Sequence, residues 1–383
     1  MKRLGELLLE ERLVTGAQLD EALETQVIHG GRLGTNLVEL GFLKEADLAR
    51  VLGHQHNMPF ASGEMVPDPA ALAVAKRQFY DDADVIPMRI DATRLTVAVL
   101  GPAQMKALDE LAFKAGKRVV AVIIPEFRMN QQLRTHCTAF RPLRPIDMNT
   151  LRPSTRVAEK TPTVGDAEAL INEADFAAIY AQAAVGGAAE EEVIEGEVVD
   201  EATPMTTGEM QSPPLTFAEA QKQLGQVSGR EDIARTVLQF ARSKFRRALI
   251  LNVRGPLVTG WRGIGQGISL RAVGRIGVSL AEANSFKLVS DLKSHFVGPL
   301  KHTPGMDVFC RMLGSGGGYP KTAVILPLLV RSKLVHLVYL DHGPDQLTPP
   351  DVGELLILSQ SVTRSYETLL GNARTSGLTG SRR

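Results

Sequence analysis

Cysteine is almost missing from this chain. Cys137 and Cys310 are the only two, far apart and outside any metal-binding spacing. That excludes a disulfide framework and makes a reducing cytoplasm the expected location. No apolar run approaches the roughly 18 residues of a membrane-spanning helix. The opening MKRLGELLLEERL is broken by Glu10 and Glu11 and has no apolar core or small-residue cleavage site, so it is not read as a secretory signal. No G-x-x-x-x-G-K-[ST] occurs. Its nearest imitation, GSGGGYPKT (Gly314 to Thr322), sets Pro320 before Lys321, and proline removes an N–H that a phosphate cradle needs. It reads as a loop leading into a strand. GWRGIGQG (Gly260 to Gly267) misses G-x-G-x-x-G and reads as a β-turn or bulge. His54 and His56 have no third metal ligand nearby in sequence and read as solvated or ligand-adjacent. With no catalytic constellation to place, enzymatic activity is not expected and no cofactor is called.

Charge is also unevenly absent. From Thr161 to Pro214 there are twelve Asp and Glu and no Lys or Arg. From Leu215 to the end there are 22 basic and 11 acidic residues, while residues 1 to 160 carry 21 and 20. A neutral head, an acidic middle and a basic tail predict three segments. With 383 residues and 44% hydrophobic content, two folded domains and a connection are expected.

What is present begins with a duplication. RLGELLLEERLVTGAQLDEALETQ (3 to 26) and RLGTNLVELGFLKEADLARVLGHQ (32 to 55) are 24 residues each, separated by VIHGG. Leu19, Ala22, Leu23 and Gln26 fall at helical spacing, and Thr15 followed by Gln18 predicts a capping box. Leu48, Val51 and Leu52 repeat the face in the second copy, and Gly41 stands where a left-handed residue would end its first helix. A repeat kept only for packing would preserve leucines and alanines. Here Arg3 and Arg32, Gly5 and Gly34, and Gln26 and Gln55 also match at an offset of 29. Arginine supplies a planar fork for a guanine edge or a phosphate. Glycine lets backbone approach a ligand, and glutamine can both donate and accept. Two such units suit a ligand that is itself two-fold symmetric.

The pair resembles the MshEN domain, the cyclic di-GMP-binding N-terminal domain of type II secretion and type IV pilus assembly ATPases. Its pattern is two motifs RLGxxLxxxGxxxxxxLxxxLxxQ joined by five residues. The second copy matches at Arg32, Leu33, Gly34, Leu37, Val38, Gly41, Leu48, Leu52 and Gln55. The first matches at Arg3, Leu4, Gly5, Leu8, Leu9, Leu19, Leu23 and Gln26, with Arg12 in place of the pattern's glycine. The resemblance implies that each motif holds one guanine half, with Arg3 and Arg32 on the base edges and the leucines forming an apolar bed. Family members usually continue into a P-loop ATPase; with no P-loop motif in this sequence, a receptor without the ATPase is the expectation.

After Pro59 a β-β-α-β-α order is predicted from ADVIPMRI, RLTVAVL, AQMKALDELAFKAG, RVVAVIIP and EFRMNQQLRTHC. Residues 143–214 read as a Pro- and Glu-rich linker, with one helical island in DAEALINEADFAAIYAQAAV. Segment 215–371 predicts two helices, strands at RALILNV and LVTGWRG, a hairpin turning at Arg331-Ser332-Lys333, and a closing helix. That order resembles a GAF-type domain.

The expected architecture is an α+β multidomain chain. Residues 1–142 form the MshEN-like domain, with tandem motifs over 1–59 and an α/β part over 60–142. The linker spans 143–214, the GAF-like domain 215–371 and a disordered tail 372–383. The expected function is that of a cytoplasmic cyclic di-GMP receptor with a protein partner in a pilus or secretion system. Two alternatives stand beside it: an adaptor whose repeat is structural, and a nucleic-acid-binding regulator using basic clusters such as ARSKFRR (Ala241 to Arg247). Nucleic acid is the less favoured partner, because no DNA-reading motif occurs.

Overall fold

Helical and strand periodicities separate as the sequence predicts. The computed structural model describes residues 2–139, 141, 143–150, 213–313, 318–349 and 352–379, with backbone alone at 148–150, 270–271 and 373–379. The chain divides into two compact units, Met1–Arg141 and Pro142–Arg383.

The first unit opens with four helices: α1 (Leu4–Glu10), α2 (Gly16–His29), α3 (Leu33–Glu39) and α4 (Glu45–His56). Two short helices follow, α5 (Pro69–Leu72) and α6 (Arg77–Ala83). The sequence reading missed both, although Pro69 sits at the first turn of α5, where its missing N–H costs nothing. Then come β1 (Ile86–Ile90), β2 (Arg94–Val99), α7 (Met105–Ala115), β3 (Arg118–Ile123) and α8 (Glu126–Cys137), the predicted order. The strands lie in the order β1-β2-β3, with β1 antiparallel and β3 parallel to β2. Asp91 holds the β1–β2 turn by accepting from the N–H groups of Thr93 and Arg94, which keeps its carboxyl below the usual range. The segment leaving α4 joins this sheet, since Ile123 N–H donates to Pro59 O and Ala61 N–H to Ile123 O.

In the second unit α9 (Pro145–Thr150) lies inside the segment expected to be linker, so that expectation fails at its start. The helical island lies outside the described residues. α10 (Phe217–Leu224) and α11 (Arg230–Arg242) precede β4 (Arg247–Arg254), β5 (Leu257–Gly265), α12 (Leu270–Gly274), β6 (Gly277–Ser279), α13 (Ser285–Leu292), β7 (Phe296–Gly298), α14 (Pro304–Met312), β8 (Ala323–Val330), β9 (Lys333–Asp341) and α15 (Gly353–Thr379). The antiparallel sheet runs β6-β5-β4-β9-β8-β7. Leu249, Leu251, Ile325, Leu337 and Tyr339 form a core with Phe286, Met306 and Phe309, while the alternate Ile250, Leu326 and Val338 are equally buried. Burial on both faces explains why β8 and β9 read as continuous apolar runs. Val330 pairs with Lys333, leaving Arg331 and Ser332 as a two-residue turn at φ +49° and +64°. Positive φ at both positions matches the right-handed twist of the strands. α15 continues through the expected tail to Thr379, because Gly371 sits inside a run of residues that tolerate helix.

GWRGIGQG is a bulged strand. Ile250 pairs with Arg262 and Leu251 with Gly260, so Trp261 is the extra residue. A Cβ on Gly260 would lie 1.8 Å from Val273 O, so this glycine serves close backbone packing. Both cysteines are free and buried, and burial pushes the Cys137 thiol up to about 11 and the Cys310 thiol up to about 12. Neither is a thiolate near neutral pH.

His336 on β9 is fully buried, stacks on Trp261 at 5.0 Å and places Nε2 2.8 Å from the Tyr366 hydroxyl. Burial first, then Arg230 and Arg254, lowers its pKa from 6.5 to about 3. Below pH 6.5 the unfolded chain takes up a proton that the folded chain refuses. The second unit is therefore expected to lose about 2 kcal/mol between pH 6.5 and 5, with further loss toward pH 3. Urea midpoints across that range test this, and His336→Gln should flatten the dependence.

Candidate functional site

Each motif opens on an arginine at the N-cap of a seven-residue helix. Arg3 has φ −74° and ψ 152°, and Arg32 has φ −83° and ψ 147°. The turns that end these helices are also equivalent. Arg12 N–H donates to Leu9 O and Leu13 N–H to Leu8 O; Gly41 N–H donates to Val38 O and Phe42 N–H to Leu37 O. Gly41 has φ +74° and Arg12 φ +54°, so arginine holds the left-handed position that the pattern gives to glycine. The departure at Arg12 leaves the backbone of the first copy unchanged. The Thr15–Gln18 capping box is present, with Thr15 N–H donating to Gln18 Oε1 at 2.9 Å.

The two copies grip each other reciprocally. Gln26 Nε2 donates to Gly31 O at 2.8 Å, and Gln55 Nε2 donates to Lys2 O at 3.0 Å. Each closing glutamine thus fixes the residue just before the other copy's arginine. The glycines follow the same rule. A Cβ on Gly5 would meet Leu19 of its own copy at 3.3 Å and Leu33 of the other at 3.6 Å. On Gly34 it would meet Leu48 at 2.6 Å and Leu4 at 3.4 Å. Packing of leucine from both copies over each glycine gives the four helices a local pseudo-two-fold relation.

The sixteen residues expected to touch ligand fall into groups. Leu8, Leu37 and Leu48 are interior, at 0%, 0% and 1% exposure, and Gly34 is buried with them. Leu4, Gly5, Leu19, Leu23, Leu33, Val38 and Leu52 are half-buried, Leu9 is exposed, and Gln26 and Gln55 are half-buried and spent on backbone. Arg3 and Arg32 are exposed.

Sequence reasoning missed the acids. Glu6 Oε2 accepts from Arg3 N–H at 2.8 Å, closing α1 locally. At the same place in the second copy stands Thr35, and the carboxylate comes instead from Glu126 at the start of α8. Glu126 Oε2 accepts from Arg32 N–H at 3.2 Å and from Thr35 Oγ1 at 3.1 Å, and its Oε1 lies 3.7 Å from Arg32 Nε. Two residues on, Arg128 grips Glu45, the first residue of α4, through Nε–Oε1 at 2.9 Å and Nη2–Oε2 at 2.6 Å. Glu45 Oε1 also accepts from Gly63 N–H at 2.8 Å. The position equivalent to Glu45 in the first copy is Gly16. α8 therefore holds the second motif at Thr35 and Glu45, where the first motif has Glu6 and Gly16. Glu6 had a local signal in its spacing from Arg3, whereas Glu126 and Arg128 lie over 80 residues from their partners.

His54 is exposed, and among the described residues no group of three His, Cys, Asp or Glu could hold a metal. No described helix is long and apolar enough to cross a membrane.

Comparison with known proteins bears on this unit first. The family model of the MshEN domain matches residues 56–140, the span that follows the second motif and takes in β1 to α8. The type IV pilus assembly ATPase PilB of Myxococcus xanthus is 29% identical over 135 residues, which are 35% of this chain and 24% of that protein. The chain thus spans about a quarter of that relative's length. A solved structure of MshE with cdg is 30% identical, covering 36% of this chain and 99% of that one with a TM-score of 0.29. For the second unit, a structure of the GAF domain/HD domain protein from Geobacter sulfurreducens is 13% identical, covering 42% of this chain and 96% of that one with a TM-score of 0.28. Residues 56–140 of this chain are an MshEN domain.

Proposed function

We propose that the first unit binds cyclic di-GMP across its two motifs, one guanine half on each. The chain then acts as a receptor for that nucleotide, without ATPase activity of its own, in the regulation of a pilus or secretion machine. The reciprocal pairing of Gln26 with Gly31 and Gln55 with Lys2 carries this reading. A ligand built of two identical halves needs two grips related by a two-fold axis, and that pairing sets Arg3 and Arg32 in equivalent places. The N–H groups of Arg3 and Arg32, at the N-caps of α1 and α3, already donate to carboxylates, so each arginine is left to meet a ligand through its side chain. Exposed guanidinium forks suit guanine O6 and N7 or phosphate. Leu4, Leu9, Leu19, Leu23, Leu33 and Leu52 offer accessible apolar area beside them. The regulatory role rests on the pilus assembly ATPase among the relatives.

A second reading has its own support. Both glutamines serve backbone and three leucines serve the interior, which also suits a structural repeat in a non-catalytic adaptor.

Calorimetric titration of cyclic di-GMP into the whole chain separates the two. A receptor gives a Kd of about 1 μM or tighter, near −8 kcal/mol, with one nucleotide per chain and no competition from GTP. Arg3→Ala and Arg32→Ala should each weaken binding by about tenfold or more, through loss of a charge-assisted bidentate contact. No heat, with no signal in an optical assay, leaves the adaptor.

A further inference from the structure

In the second unit, α13 turns two leucines away from the core. Phe286 and Val289 are buried at 0% and 1%, whereas Leu288 and Leu292, one turn apart on the opposite side, are 46% and 66% exposed. Neither leucine belongs to the core cluster.

Basic groups ring this ridge. Lys293 ends α13, and its Nζ donates to Ser332 O at 2.8 Å, which places the helix end against the β8–β9 turn. Arg331 and Lys333 flank Ser332 and are exposed. β7 runs antiparallel to β8, pairing Phe296 with Ile325 and Gly298 with Ala323. Its leading residue His295, also exposed, therefore lies on the side of that turn. Lys287 is on α13 itself and Lys301 follows β7. An acid on the same helix, Asp291, lies 3.3 Å from Lys287. The excess is general as well as local, with 22 basic and 11 acidic residues from Leu215 onward.

We infer that Leu288, Leu292 and the basic edge formed by Lys293, Arg331 and Lys333 are a docking surface for an anionic lipid bilayer. Charge complementarity selects an anionic partner, and relief selects the bilayer. A leucine two-thirds exposed stands clear of its neighbours, so the surface is a ridge. A peptide needs a groove to bury its side chains. A lipid interface deforms around protruding leucines while its headgroups meet the lysines. The attachment is peripheral and reversible, because it has few apolar side chains to insert and screening by salt weakens its charged part.

Co-sedimentation of the whole chain with vesicles tests this. Binding is expected to phosphatidylcholine vesicles containing phosphatidylglycerol, with little to phosphatidylcholine alone, and loss at high salt. Leu288→Ser with Leu292→Ser should lower partitioning about tenfold through lost apolar insertion, with the folded state retained by circular dichroism, since neither side chain belongs to the core. Lys293→Glu with Lys333→Glu should lower it by at least as much. No binding of the wild type to the anionic vesicles at low salt overturns the inference. So does binding undiminished in the leucine variant. Polyglutamate binding that is equal in wild type and leucine variant, with no vesicle binding, would assign the surface to acidic polypeptides instead.

Discussion

Asp341→Asn is expected to destabilise the second unit by about 4 kcal/mol, the loss that follows removal of one partner from a buried ion pair. Arg247 and Asp341 are 3% and 0% exposed at their side chains and meet through Nε and Oδ1 at 2.6 Å. Asp341 also accepts from Gly343 N–H at 2.7 Å and from the Tyr339 hydroxyl at 2.5 Å, while Arg247 Nη1 donates to Leu313 O at 3.3 Å. Asparagine keeps the shape of the acid and discards its charge. The guanidinium cannot shed its proton, so it stays a buried cation that has lost the Asp341 charge. The pair joins the first residue of β4 to the last of β9, and the loss is therefore felt across the middle of the sheet. Urea unfolding followed by tryptophan fluorescence reads this unit alone, because Trp261 is the only tryptophan. Arg247→Met combined with Asp341→Leu should recover most of the loss, since apolar replacement of both partners avoids the desolvation penalty. A single Asp341→Asn variant within 1 kcal/mol of wild type, about the worth of one ordinary hydrogen bond, would show that the pair contributes no more than such a bond.

That pair shows where sequence reading stops. Arg247 and Asp341 are 94 residues apart, and each sits in an apolar run that reads simply as strand. The long strands were legible from their apolar runs and turn chemistry, which are local, whereas the three-residue edge strands β6 and β7 were too short to carry a pattern and were missed. The hairpin was found although its turn holds Arg331 and Ser332 in place of asparagine and glycine, since the long apolar runs on either side leave no other place to reverse. The motifs were legible for a different reason. An identical offset of 29 residues at arginine, glycine and glutamine is improbable without a shared geometric cause, and the reciprocal contacts supply one. The role of the glutamines was not legible. An amide that donates to a backbone carbonyl of the other copy looks the same in sequence as one that reaches a ligand. Arg12 is the reverse case, a visible departure with no consequence for the backbone, because the surrounding hydrogen bonds hold a single left-handed residue against a cost of about 1–2 kcal/mol.

Glu45→Ala should cost the first unit about 3 kcal/mol, at the lower end for a broken buried pair because both partners keep some solvent access. The side chains of Arg128 and Glu45 are 10% and 20% exposed. Removing the carboxylate strands two guanidinium nitrogens and the N–H of Gly63, while Gln131 Oε1 still accepts from Arg128 Nη1. Far-UV circular dichroism in urea should show the earlier transition, and the Trp261 transition should not move. The two-motif arrangement gives this variant a second readout. α8 contacts the second motif through Glu126 and Arg128, at positions where the first motif has Glu6 of its own and Gly16, so the pseudo-two-fold relation is broken where the α/β part attaches. A loss of stability without a loss of nucleotide affinity would make the contact a brace. A loss of affinity at temperatures where the unit is still folded would mean that α8 sets the position of Arg32 for the ligand. Glu126→Gln then discriminates further. It retains a hydrogen-bond acceptor for Arg32 N–H and Thr35 while removing the charge beside the guanidinium, so any change in affinity it produces, free of a change in stability, belongs to the electrostatics of the second motif.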